Sequence, residues 1–408
     1  MSPVQHLLSS ATLLLWMALP AIAQAPLERV STPTRVSGVV FEDRNKNGVY
    51  DAGDAPVGGV AVSDQVQEVI TDGDGRFTLD ARGYGLVFVS QPDGFASAGP
   101  FWREVTGASA DVAFPLVERE AGRDFVFLHA SDPHVDASSL HRLQRVRAMA
   151  DSIRPAFVLL TGDLVRDALR VPEEVATGYY DLLMAELARF TVPVYTVPGN
   201  HEKFGIERAS SLVSPSHPLY GNRMYRSYLG PDYYSFSHGG VRFLGLNTVD
   251  YQDQWYNGHV DSLQVGWIAR ELSRAPSDEH VVAFSHIPFV SGGEARGGFK
   301  EGGVAPTVIR VDGRDWFRHT VRNQEEVLGM IGARLEIALA GHIHVRESME
   351  YATQAGPQRL QTAAAVVGPA PGQGNAYGPV SGITLFQVQD GHVDDGTFLP
   401  LDPGPGAR

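Results

Sequence analysis

Apolar and polar positions change rhythm along this chain. From Val36 to about Val117, short alternating runs recur between turns: Val36-Ser37-Gly38-Val39-Val40-Phe41, Gly59-Val60-Ala61-Val62, Val66 to Ile70, Arg76-Phe77-Thr78-Leu79 and Leu86-Val87-Phe88-Val89. Strands so closely spaced, with Asp-Gly turns between them, predict a small all-β sandwich over residues 36–117. After Gly122 the rhythm becomes one of apolar runs alternating with helical spacing. Phe125 to Ala130 reads as a strand, and Leu140, Leu143, Val146, Ala150 and Ile153 then recur on one helix face. Phe157 to Leu160 is the next strand, Glu173 to Phe190 the next helix and Val192 to Val197 a third strand. Further strands are expected at Tyr233–Ser237, Val241–Asn247, Val281–Phe284, Leu335–Ala340 and Ile383–Val388, with helices at Ser262–Leu272 and Gln324–Ile331. The βαβαβ progression calls for a layered α/β domain over residues 122–400.

The ends carry a different texture. Residues 1–25 lack Asp, Glu, Lys and Arg, hold the apolar run Ala11 to Leu19 and close on Ala21-Ile22-Ala23-Gln24-Ala25. The run is too short to span a bilayer and precedes an Ala-x-Ala pattern, so it reads as a secretory signal peptide; a retained N-terminal anchor is the alternative. Either implies a secreted or periplasmic protein, with a polar linker at 26–35 and a Gly/Pro-rich tail at 401–408 expected to be disordered.

Composition narrows the chemistry. The 408 residues contain no cysteine, which excludes disulfides and thiolate-bound metal. A net charge of −14 without a Lys/Arg block disfavours nucleic-acid polymers and anionic membranes as partners.

Metal-ligand residue types cluster where the predicted strands end. Asp132 and His134 follow the first strand and Asp163 the second. Asn200 and His201 follow the third, His286 follows Val281–Phe284, and His342 and His344 follow Leu335–Ala340. Parallel strands deliver these ends to one rim, where open α/β sheets hold ligands. An extended backbone would point both side chains of Asp132-Pro133-His134, and of His342-Ile343-His344, to the same side. Singly, each residue reads equally well as a capped turn or a satisfied polar group. Together, oxygen and imidazole donors without thiolate suit Mn, Fe, Co, Ni or Zn, and a pair of such ions can clamp a phosphate and activate water.

The ordered set Asp132-x-His134, Gly162-Asp163, Gly199-Asn200-His201-Glu202, His286 and Gly341-His342-x-His344 resembles the calcineurin-like metallophosphoesterase superfamily over about Phe125 to Leu399. That resemblance implies a four-layer αββα sandwich with a binuclear centre. It puts Asp132, His134 and His344 on one divalent ion and Asn200, His286 and His342 on the other, with Asp163 bridging. His201 would stabilise the transition state or protonate the leaving oxygen, and Glu202 is an orienting group at most. The expected reaction is attack of a metal-bound hydroxide on a phosphomonoester or phosphodiester of a phosphorylated small molecule, lipid or glycan. The alternatives are a nucleotide or cyclic-nucleotide phosphodiesterase and a non-catalytic cell-surface binding protein.

Arg166 stands where purple acid phosphatases carry a metal-binding Tyr, and Arg166-Asp167-Ala168 differs from the Asp-Arg-Gly of phosphoprotein phosphatases, so both subclasses are disfavoured. Arg166 reads as a phosphate contact or a solvated charge, and Asp167 as a partner for His201 or a solvated charge. Ser291 to Gly303 is a glycine-rich loop or a substrate lid, and Tyr251 to Tyr256 lines the pocket or packs on the helix containing Trp267. Histidines outside the set, among them His129, His238, His280, His319 and His392, read as ordinary residues. In the small domain Asp43, Asn45, Asn47, Asp51 and Asp54, with Val49 offering a carbonyl and Gly48 at the turn, match a calcium-loop spacing, although the last position is Asp and not Glu. With its flanking strands, this stretch resembles the Cna-B/SdrD-like β-sandwich of exported bacterial phosphoesterases.

Overall fold

The computed structural model describes residues 32–119, 122–276, 278–297, 307–311, 313–368 and 380–401. The expected signal segment 1–25, residues 26–31 of the expected linker, residues 298–303 of the expected glycine-rich loop and residues 402–408 of the expected tail lie outside the described residues, while Thr34 and Arg35, expected in the linker, instead pair in the strand Thr34–Glu42.

Two sheets face each other in the larger domain. The first runs in the order Val194–Val197, Val158–Thr161, Phe125–Ala130, Gly382–Gln389, His392–Val393, and its first three strands are parallel. In the second, Val241–Gly245, His280–Phe284, Leu335–Ala340 and Gly356–Thr362 are parallel neighbours, with Tyr234–His238 and Glu347–Thr353 antiparallel at the edges. Strands such as Val158–Thr161 read as unbroken apolar runs because both their faces are covered. On the outer face of the first sheet, Leu143, Val146, Tyr180 and Leu183 from helices Leu140–Ile153 and Glu173–Leu187 meet Leu128 and Leu160. On the outer face of the second, Trp267, Ile268, Leu328 and Ile331 from helices Ser262–Arg274 and Gln324–Ile331 pack on Leu244, Val281 and Ala338. Between the sheets lie Phe127, Phe157, Phe236, Phe243, Phe284 and Phe386. The layers are therefore helices, sheet, sheet, helices. Local chemistry sets the helix ends: Asp261 accepts from the N–H groups of Leu263 and Gln264 to start one, and Arg154, left-handed at φ 55° ahead of Pro155, ends another.

Residues 34–118 form strands without helices, in a five-stranded and a four-stranded sheet over a core of Val36, Val62, Phe77, Leu79, Val87 and Phe114. This part does not stand apart. Leu86 and Phe88 belong to the same buried cluster as Phe127 and Phe236. Ser237 donates its N–H to the Gln91 carbonyl at 2.9 Å, and the Asp93 carboxylate accepts from Gly239 and Gly240 at 2.8 and 2.9 Å. Among the described residues no helix is long and apolar enough to cross a membrane.

Two buried histidines make stability pH-dependent. Burial holds His129 down at about 3, and burial with help from Arg119 holds His238 at about 4. Both values lie below the ordinary 6.5, so the unfolded chain binds more protons at lower pH. Stability contributed by the neutral rings is intact above about pH 6.5 and should fall by on the order of 2 kcal/mol per ring between pH 6.5 and 5. Urea midpoints across that interval check this, with the slope expected to flatten in His129→Gln.

Candidate metal centre

Each motif leaves the C-terminal end of a strand and turns at once. Asp132, His134, Asp163, His342 and His344 have left-handed backbones, with φ of 55°, 43°, 48°, 71° and 58°. The Asp132/His134 and His342/His344 pairs do converge, but through these tight left-handed turns and not through the extended backbone expected from the period-two spacing. Such conformations cost about 1 kcal/mol or more per non-glycine residue, and the surrounding packing must hold them. The motif glycines make room: a Cβ on Gly341 would lie 1.8 Å from Ser131 Oγ and 2.6 Å from Asp132 Oδ2.

Two donor clusters result, sharing Asp163: Asp132, His134, Asp163 and His344 in one, Asp163, His286 and His342 in the other. In the first, His344 Nε2 lies 3.1 Å from Asp132 Oδ1 and 3.3 Å from His134 Nε2. In the second, His286 Nε2 is 3.2 Å from Asp163 Oδ1, from Asn200 Oδ1 and from His342 Nδ1. Ligand atoms roughly 2.0–2.2 Å from a common ion stand about 3.0–3.5 Å apart. Two imidazole lone pairs at 3.2 or 3.3 Å gain nothing from each other unless a proton or a cation lies between them. Asp132 Oδ1 is buried without a hydrogen-bond donor. Burial opposes a charged His286, yet the Asp163 and Asp132 carboxylates raise it to about 9; His134, pressed by burial and by His201, drops to about 4. The negative field that draws a proton onto His286 suits a divalent cation better, so the donor set fits the metals.

The supporting groups are specific. His286 Nδ1 faces the Thr161 carbonyl at 2.7 Å, which presents Nε2 to the centre. Glu202, fully buried and raised to about 7 by burial and by Asp163, accepts from the backbone N–H of Asp163, Val165 and Gly199 at 3.0, 3.0 and 2.6 Å. It ties the second-strand loop to the third-strand loop. His201 donates its N–H to Asp163 Oδ1 at 2.9 Å, and its Nδ1 meets the Arg166 carbonyl at 2.6 Å, leaving Nε2 3.7 Å from Asp163 Oδ2.

Arg166 thus serves through its backbone. Its half-exposed side chain lies 3.8 Å from Asp136, not among the groups lining the cleft. Asp167 accepts from the Leu169 N–H and pairs with Arg170, not with His201. The cleft, about 420 Å³, is lined by His134, His201 and His342 together with Tyr256, Glu294 and His319. His319 Nδ1 lies 3.0 Å from Glu294, and its ring is 5.0 Å from that of His342. Neither Glu294 nor His319 carries a spacing signal. Tyr256 does both things expected of its segment, packing in the Trp267 cluster and facing the cleft. Ser291 begins a short helix, Gly292–Gly297, which places Glu294. In the small domain Asp43 accepts from the N–H groups of Asn47 and Gly48 at 3.1 and 2.8 Å, Asn45 and Asn47 donate to Asp51, and Asp54 accepts from Arg44 and Asp51, so the loop closes on its own hydrogen bonds.

Known proteins resemble this chain in sequence. A serine/threonine-protein phosphatase, CPPED1 of Pongo abelii, is 25% identical over 215 residues, covering 47% of this chain and 65% of the relative. A cAMP/cGMP dual specificity phosphodiesterase of Mycobacterium tuberculosis is 25% identical over 240 residues, covering 54% and 62%. The chain thus spans less than two thirds of the length of these relatives. Among solved structures, a dimetal phosphatase from Danio rerio matches at 18% identity and a TM-score of 0.40, over 68% of this chain and 99% of that one. The sequence pattern of the calcineurin-like phosphoesterase family matches residues 125–346, more than half of the chain. This chain belongs to the calcineurin-like phosphoesterase family, whose members are metal-dependent phosphoric ester hydrolases.

Proposed function

We propose that the chain hydrolyses a phosphomonoester or phosphodiester at a binuclear centre. The observation that supports this best is the pair of donor clusters joined by Asp163, with His201 beside them at the cleft floor. Asp132, His134 and His344 would hold one divalent ion, Asn200, His286 and His342 the other. Such ions supply Lewis-acid charge stabilisation and a nucleophile from water. The protein's own part is positional. Glu202 fixes two ligand loops, the Thr161 carbonyl sets the His286 tautomer, and the Arg166 carbonyl holds the His201 ring so that Nε2 can pass a proton to the leaving oxygen.

His201→Gln should retain metal while turnover on an aryl phosphate falls by about 10²-fold or more. Loss of metal in that variant would show His201 to be a ligand. A second reading, nucleotide or cyclic-nucleotide phosphodiesterase, is favoured by the mycobacterial relative; hydrolysis of cyclic nucleotides at least tenfold more efficiently than aryl phosphates would select it.

Two sequence-borne proposals accompany this one. Calcium at Asp43–Asp54 would require Asp43 and Asp54 to exchange their N–H partners for the ion, and calorimetry with Ca²⁺ should lose its heat in Asp43→Ala. Export rests on the apolar run before Pro26, and N-terminal sequencing of secreted or periplasmic protein should begin close to that residue.

A further inference from the structure

The opposite rim of the second sheet carries another donor cluster, outside the phosphoesterase centre. His280 opens the strand His280–Phe284, and Glu336 is the second residue of its parallel neighbour Leu335–Ala340. The register between these strands slips here: Val281 pairs with Leu335 and Val282 with Ile337, so Glu336 is the extra residue of a bulge. Bulges re-aim a side chain. This one brings Glu336 Oε1 to 2.7 Å from His280 Nδ1. The third member comes from the other sheet. His392 follows the turn after Gly382–Gln389, and its Nδ1 lies 3.3 Å from the same Glu336 oxygen.

The turn is seated on this cluster. Gly391, at φ 92°, lies so close to the His280 ring that a Cβ there would come within 2.4 Å of Cδ2. The His280 and His392 rings are 4.5 Å apart, centre to centre. The other Glu336 oxygen accepts the Val393 N–H at 3.3 Å, which fixes the carboxylate. All three donor atoms lie within 4.8 Å of one another. Glu336 and His280 are largely covered, at 17% and 24% side-chain exposure, while His392 is open at 72% and leaves room for water.

We propose that His280, Glu336 and His392 form a separate transition-metal site of the two-imidazole, one-carboxylate type, suited to Zn²⁺ with water completing a tetrahedron. It clips the last hairpin of the first sheet to two strand starts of the second, from three segments distant in sequence. Six residues of chain, roughly 20 Å if extended, separate His280 from His286, so the site is independent of the phosphoesterase centre. Its role is structural: the ion bridges the two sheets at the rim opposite the cleft.

The test is metal counting on the full chain. Protein stripped by chelator, reloaded with Zn²⁺ and gel-filtered into metal-free buffer should retain one equivalent more than His392→Ala or Glu336→Gln treated identically. Turnover of an aryl phosphate should be the same in all three. Zn²⁺ should also raise the thermal midpoint of the wild type further than that of His392→Ala. His392 is exposed, so its truncation does not threaten folding. Equal metal content in wild type and His392→Ala would overturn the site and leave a shared carboxylate accepting from two histidines. Failure of the phosphoesterase assay alone would leave it standing.

Discussion

Asp163→Asn is expected to abolish turnover, by on the order of 10³-fold or more, and to lower the metal held at the proposed binuclear centre from about two equivalents to one or fewer, counted apart from the proposed His280–Glu336–His392 site. The carboxylate is the point at which the two clusters meet. Oδ1 faces His286 at 3.2 Å and accepts the His201 N–H at 2.9 Å, while Oδ2 faces His134 and His201 at 3.7 Å each. An amide keeps the shape but removes the negative charge and turns one of those oxygens into a donor aimed at imidazole nitrogens. His286, now held high by Asp163, should then titrate at lower pH. Metal analysis and turnover measured on the same sample check the prediction: full metal content with unchanged rate would show that Asp163 bridges nothing.

The second large effect is on folding. Asp232→Asn should destabilise the protein by about 3–5 kcal/mol, the cost of removing the counter-charge from a buried guanidinium. The carboxylate is fully buried and accepts from Arg226 Nε and Nη2 at 3.0 and 2.9 Å, from Asn247 Nδ2 at 2.8 Å and from Gln65 Nε2 at 3.0 Å. Arg226 itself lies over the Tyr84 ring at 3.6 Å, and Asn247 also accepts from the buried Lys203 at 3.1 Å. Burial opposes the ionised carboxylate, but Arg226 and then Lys203 hold its pKa below the ordinary value. Denaturant unfolding gives the number directly. A loss under 1 kcal/mol would mean that the network relaxes onto water.

Much of the larger domain was legible because its strands are covered on both faces and write themselves as apolar runs. Phe125–Ala130, Leu335–Ala340 and Gln324–Ile331 have the ends that the pattern assigns. What escaped reading has identifiable causes. Ser109–Glu118 contains Pro115, which argues against a strand, yet it pairs along Thr34–Glu42. Gly356–Thr362 looks polar, yet it is a sheet strand whose buried Gln358 donates its side-chain N–H groups to the Leu328 and Gly332 carbonyls. In the centre, residue types in fixed order pointed to the side chains that the structure gathers at one rim, but the left-handed turns that aim them leave no mark in composition. Glu294 and His319 reach the cleft from a segment without periodicity, so nothing local distinguishes them from surface residues.

The cluster shared by Leu86, Phe88 and Phe236 bears on how this protein can be divided. A β-sandwich joined by a tether could be swapped, shuffled or cut away without notice to its neighbour. Here the seam is hydrophobic core on both sides, so a chain begun after Arg119 would expose Tyr234 and Phe236 to water and lose the acceptor that Gln91 provides to Ser237. The two parts therefore share one core, and a graft of the phosphoesterase domain into another protein would need to carry Leu86 to Trp102 with it.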